Sequence, residues 1–178
     1  MSIKPMKINF LPLFARLFHK NIRQISYLFL LCVCLNASAD FKQGVIAYKN
    51  ADYPVALKKF IDAGESGNTQ AQYLVGTMYD KGQGITADDT EAIKWYERAA
   101  RQGFLRAQYD LGLMLLHGEG IEQPDYLKAY AWFSIAADKG DKDAIEKRDL
   151  LEIRMNEPTI KIAKSRAKEL SDEIAQKP

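Results

Sequence analysis

Between Thr69 and Gly140 the sequence repeats itself. AQYLVGTMYDKGQGI from Ala71 is followed by DDTEAIKWYERAARQG from Asp88; AQYDLGLMLLHGEGI from Ala107 is followed by DYLKAYAWFSIAADKG from Asp125. Ala71, Gly76, Gly82, Gly84 and Ile85 recur 36 residues on as Ala107, Gly112, Gly118, Gly120 and Ile121. One residue is then added, and Asp88, Ala92, Trp95, Ala99, Ala100 and Gly103 recur 37 on as Asp125, Ala129, Trp132, Ala136, Ala137 and Gly140. A period in the thirties with apolar residues at helical spacing specifies stacked helix–loop–helix units. Each unit is too thin to bury its own apolar face, so it must stack on a neighbour.

Within each unit the pattern predicts two helices, roughly 69–81 with 88–102 and 105–117 with 125–138. Gly76 and Gly112 lack a Cβ and would let two helices approach closely. Trp95 with Tyr96, and Trp132 with Phe133, supply bulk between units. Gly82 and Gly118 are placed as left-handed helix caps. Asp88 with Glu91 reads as a capping box, and Asp125 caps the matching helix after Pro124. Upstream, GVIAYKNADYPVALKKF reads as a shorter hairpin turning at Asn50-Ala51-Asp52, an amino-terminal cap over 40–67. Downstream of Gly140 a third copy begins and drifts, with Asp149 where the packing glycine belongs. A closing helix with one apolar and one charged side follows Pro158.

The motif A-x-x-x-L-G-x-x-(Y/L)-x-x-G-x-G-I, an aspartate, then K-A-x-x-W-(Y/F)-x-x-A-A-x-x-G resembles the Sel-like repeat (SLR) family, a subclass of tetratricopeptide-type repeats. Val75 departs from the leucine that Leu111 supplies. The resemblance implies an all-α fold, a right-handed α-solenoid of about four antiparallel helix pairs. Its parts would be the cap at 40–67, repeats at 69–104 and 105–140, and a degenerate repeat with a capping helix at 141–178. The resemblance also implies a habit of binding proteins and no particular reaction.

Residues 1–39 read as a secretory signal peptide. Lys4, Lys7, Arg16, Lys20 and Arg23 form a basic region, Ile25–Leu35 an apolar run of eleven residues, and Ala37-Ser38-Ala39 a small-x-small cleavage site before Asp40. The run is too short to span a bilayer, which needs ~20 residues. Met1 and Met6 both stand as starts, and an uncleaved anchor is the rival reading. Of 25 basic residues five lie in this leader, leaving 20 against 23 acidic, a net −3. A mildly acidic body without a basic stripe argues against a nucleic-acid partner. Periplasmic or secreted localisation follows, with no stable membrane insertion after cleavage.

Chemistry is tightly bounded. Both cysteines, Cys32 and Cys34, and one of two histidines, His19, fall in the leader. The mature chain keeps only His117 and no thiol, so no disulfide, thiolate metal site or cofactor is expected, and no catalytic residue is assigned. The GxG loops follow no strand, so they do not read as dinucleotide cradles. Gly82 and Gly84 also occupy positions where a calcium loop needs ligands. Some cysteine-rich relatives of the resembled family are associated with penicillin binding or hydrolysis, an activity not carried over to a chain without their cysteines.

What remains is a surface. On a helical wheel Tyr73 and Thr77 lie opposite Ala71 and Val75, with Asp80 beside them. Tyr109, Leu113 and Leu116 lie likewise in the second unit, with His117 at the edge. By resemblance these leading-helix residues line a groove for a protein or peptide partner; the wheel leaves the tyrosines open between groove and core. The expected function is a non-catalytic adaptor or scaffold of the bacterial cell envelope. Two alternatives stand beside it: a cell-wall-directed hydrolase or penicillin-interacting enzyme, and a secreted factor binding a host or neighbouring-cell protein. Neither the partner nor the oligomeric state is written in the sequence.

Overall fold

A computed structural model describes residues 38–176, and the regular elements it describes are all helices. α1 (38–49) and α2 (Tyr53–Glu65) form the first hairpin. α3 (Thr69–Lys81) and α4 (Asp89–Arg101) form the second, α5 (Leu105–His117) and α6 (Tyr126–Asp138) the third. α7 (Lys142–Arg154) and α8 (Glu157–Gln176) close the chain. Each helix packs on the next in order from α2 to α7, which makes an α-solenoid. The predicted leader lies outside the described residues except for Ser38 and Ala39, which open α1.

The helix ends follow from local chemistry. Asp52, Asn68, Asp88, Asp125 and Asp141 each accept a hydrogen bond from a first-turn backbone N–H, relieving donors that the helix cannot satisfy itself. Gly82 at φ 65° and Gly118 at φ 77° end α3 and α5 in the left-handed conformation, as the sequence requires. The capping box at Asp88 forms only in half. Asp88 Oδ1 accepts from Glu91 N at 3.0 Å, but the Asp88 N–H donates to the Tyr79 carbonyl and Glu91 pairs with Lys94 instead. The Asp125 N–H is tied in the same way to the Leu115 carbonyl, so each solenoid loop is closed by backbone rather than by the glutamate.

Glycine decides how closely the helices of a pair approach. A Cβ on Gly76 would stand 2.6 Å from the Tyr96 ring, and one on Gly112 would stand 2.6 Å from the Phe133 ring. Both rings are therefore buried between paired helices, and Trp95 and Trp132 beside them are buried too. A second tie recurs that the sequence pattern did not single out. Gln72 Nε2 donates 2.8 Å to the Gly64 carbonyl, and Gln108 Nε2 donates 2.9 Å to the Ala100 carbonyl. Each buried glutamine thus adds a second hydrogen bond to a carbonyl near the end of the preceding helix, which also accepts from the backbone N–H of Gly67 or Gly103.

The last pair departs from this pattern. At the address of Gly76 and Gly112, α7 carries Asp149, whose side chain is 56% exposed. With a carboxylate there, no aromatic helix can close onto α7. α8 packs against α6 instead, burying Ala163 and Ala167 in the core that holds Ala131 and Trp132. Arg101 of α4 reaches Glu173 of α8 at 3.5 Å, so the closing helix spans the outer side of two repeats.

Candidate functional site

α3, α5 and α7 are the leading helices, and the repeat gives each of their residues an address. Thr77, Leu113 and Leu150 share one address, and Asp80, Leu116 and Ile153 share the next. None of the six is buried. Leu150 is 39% exposed and Ile153 81%. Along this face the chemistry therefore grades from hydroxyl and carboxylate at α3 to open aliphatic surface at α7. Leu150 and Ile153 were missed in the sequence because the third copy had drifted. Adding 37 to Leu113 and Leu116 would have found them.

At the α3 end lies a cleft of about 220 Å³ lined by Tyr73, Thr77, Asp80, Tyr96, Asp110 and Leu113 among others. Gly76 lets the Tyr96 ring pass, so its hydroxyl reaches Thr77 Oγ1 at 3.3 Å and Asp80 Oδ2 at 3.4 Å. Tyr73 donates its hydroxyl to Asp110 Oδ2 at 2.9 Å. Arg106 stands 3.8 Å from the same carboxylate but is itself largely exposed. Burial wins at Asp110: desolvation holds its carboxyl above the usual range, against the Tyr73 hydrogen bond and the Arg106 charge. Burial likewise pushes the Tyr73 phenol up and the Tyr96 phenol far up. The cleft thus keeps neutral hydroxyl donors beside a carboxylate that is costly to ionise where it stands.

The two tyrosines left open between groove and core do both. The Tyr73 ring packs 5.6 Å from Tyr96 and 5.0 Å from Phe104, while its hydroxyl enters the cleft. The Tyr109 ring lies 5.8 Å from Phe133 and remains half-buried. Leu113 and Leu116 touch the core with one side and keep partial exposure on the other. His117 ends α5, exposed. Ser134 donates its Oγ proton to the Tyr130 carbonyl at 2.8 Å, within its own helix. Among the described residues, no group of three or more His, Cys, Asp and Glu is placed to hold a metal ion. Nor is any described helix long and apolar enough to cross a membrane.

The Sel1 repeat family model matches residues 69–104 and 105–141. Among solved structures, the chain is similar to a protective antigen present in uropathogenic Escherichia coli strains, displaying an SLR fold. The TM-score is 0.71 at 26% identity, over 78% of this chain and 30% of that one. A Sel1 repeat protein from Oxalobacter formigenes aligns with TM-score 0.58 at 34% identity, over 64% of this chain and 46% of that one. A curated relative, the exopolysaccharide production negative regulator of Rhizobium leguminosarum bv. viciae, is 40% identical over 52 residues. That match covers 29% of this chain and only 20% of the regulator. Repeats of this kind mediate interactions between proteins. Residues 69–141 thus carry two adjacent Sel1 repeats, on a fold shared with SLR proteins.

Proposed function

We propose that the chain is an exported, non-catalytic adaptor that holds a protein partner on its leading-helix face, in the bacterial cell envelope. One observation carries the reading: three successive leading helices leave the same two addresses partly or widely exposed, Thr77, Leu113, Leu150 and Asp80, Leu116, Ile153. Ile153, in the last turn of α7, is 81% exposed and contributes little to the packing of the solenoid. Exposed apolar side chains at successive repeat addresses are the kind of surface that marks interaction sites. The grading sets the partner's chemistry. A cationic or hydrogen-bonding group would meet Asp80 and Asp110, and apolar residues along the same segment would cover Leu113 to Ile153. An amphipathic helix laid in a groove meets that description.

Export is supported by the basic region, the apolar run and the Ala-Ser-Ala site, and by where the fold takes hold. Asp40, the residue that cleavage would expose, pairs with Lys59 at 2.9 Å, and Phe41 packs 5.9 Å from Phe60. Removal of residues 1–39 would leave both contacts intact. An intact mass beginning at Asp40 checks the cleavage; a species retaining Cys32 would refute it.

A photo-crosslinking scan in the producing cell tests the adaptor reading. Crosslinking residues at Thr77, Leu116 and Ile153 should trap one common partner, and residues at exposed Lys58 and Asp138 should not. Equal trapping from the control positions would defeat the proposal.

A further inference from the structure

Each long loop of this solenoid docks on the helix start one repeat earlier. Gly84 lies over the first peptide of α2, where a Cβ would stand 2.6 Å from the Tyr53 carbonyl carbon and 2.9 Å from Pro54 N. Gly120 lies over the first peptide of α4 in the same way, 2.6 Å from the Asp89 carbonyl carbon and 2.8 Å from Thr90 N. Thr90 also donates its hydroxyl to the Gly120 carbonyl at 3.1 Å. Only a residue without a Cβ can make this contact, and both loops present one, followed by isoleucine.

Tyr53, Asp89 and Tyr126 are equivalent first residues of α2, α4 and α6. The start of α6 is therefore a third acceptor. The loop that would fill it should carry glycine at positions 155 and 157, but these are Met155 and Glu157, and the chain turns directly into α8. The surface stays open as a groove of about 630 Å³ walled by Pro124, Tyr126, Leu127, Leu151, Met155 and Thr159. Tyr126 is 50% exposed at its mouth.

We infer that this groove is a docking site for a Gly-x-Gly-Ile turn presented by a different chain, so that the solenoid's loop-to-helix interface continues in trans. The occupant is not a folded second copy, because both such turns of this chain are already packed on α2 and α4. The inference depends neither on the leading-helix face nor on export.

The test is an NMR titration of the isotopically labelled protein with a synthetic peptide of its own loop, residues 81–89. Saturable shifts are expected at Tyr126, Leu127, Leu151 and Met155. The same peptide with alanine in place of its second glycine should give none. Tyr126→Ala, which trims an exposed ring and should keep the far-UV CD spectrum, should weaken the response. Four outcomes would overturn the assignment: no shifts; equal shifts from the alanine peptide; an unchanged response in Tyr126→Ala; or shifts at Tyr53 and Asp89, where the peptide would be displacing the chain's own loops. Shifts of the groove amides with protein concentration alone would give the site to a second copy and overturn it too.

Discussion

At residue scale, the opposed demands on Gly112 can be weighed. Alanine is favoured over glycine inside a helix by about 1 kcal/mol. The new methyl would lie 2.6 Å from a fully buried Phe133 ring that cannot swing away. Overpacking of this kind costs ~1–3 kcal/mol, so Gly112→Ala should lower the denaturant midpoint on balance. Gln108 makes the complementary case. Gln108→Leu would remove one of the hydrogen bonds that the Ala100 carbonyl accepts, the Gly103 N–H still donating to it at 2.9 Å, at a cost of about 0.5–1.5 kcal/mol. The glycines were legible in the sequence because their absence of a side chain recurs beside a recurring aromatic. The glutamine was not singled out, since a polar residue in an amphipathic pattern reads as surface until its partner is seen. Asp110 supplies a pH test. Burial raises its folded pKa above the unfolded value. Its contribution is therefore fully favourable below the unfolded pKa and is lost as pH rises through the folded one. Asp110→Asn, which can still accept from Tyr73, should raise the melting temperature at neutral pH, and the gain should vanish in acid where the native carboxyl is protonated.

At element scale, the end of the solenoid turns on one substitution within the repeat. Asp149 keeps α7 from taking an aromatic partner, and α8 is left to cover α6. Asp149→Ala should hardly move the melting temperature, because nothing packs there and its exposed pair with Arg148 is worth little. Alanine at the same helical address is thus costly in α5 and nearly neutral in α7. Trp132→Ala should cost ~3–5 kcal/mol, since the ring is buried where α6 joins its neighbours. The extents of α3 to α6 were legible almost to the residue because each was punctuated by an aspartate or asparagine before it or a glycine after it. The path of α8 was not. Its apolar stripe of Ala163, Ala167, Leu170 and Ile174 says that it packs, but only the geometry says on which helix. The same drift that released α8 also hid Leu150 and Ile153 and emptied the loop acceptor at Tyr126.

At the scale of the whole molecule, the graded leading-helix face is the feature that packing leaves unexplained. Its polar end has a carboxylate that burial keeps above its ordinary pKa, and its apolar end has aliphatic side chains in solvent. A cationic group of a partner would offset the carboxylate's desolvation and apolar groups would cover the aliphatic side chains, and binding energy at such surfaces concentrates in a few residues. With the crosslinked partner in hand, the deciding measurement is its affinity for the Leu150→Ser, Ile153→Ser protein, taken together with that protein's melting temperature. Because both side chains are exposed, melting should stay at the wild-type value while Kd weakens by about tenfold or more, equivalent to about 1.4 kcal/mol. An unchanged Kd with unchanged melting would contradict the assignment of this face as the binding surface.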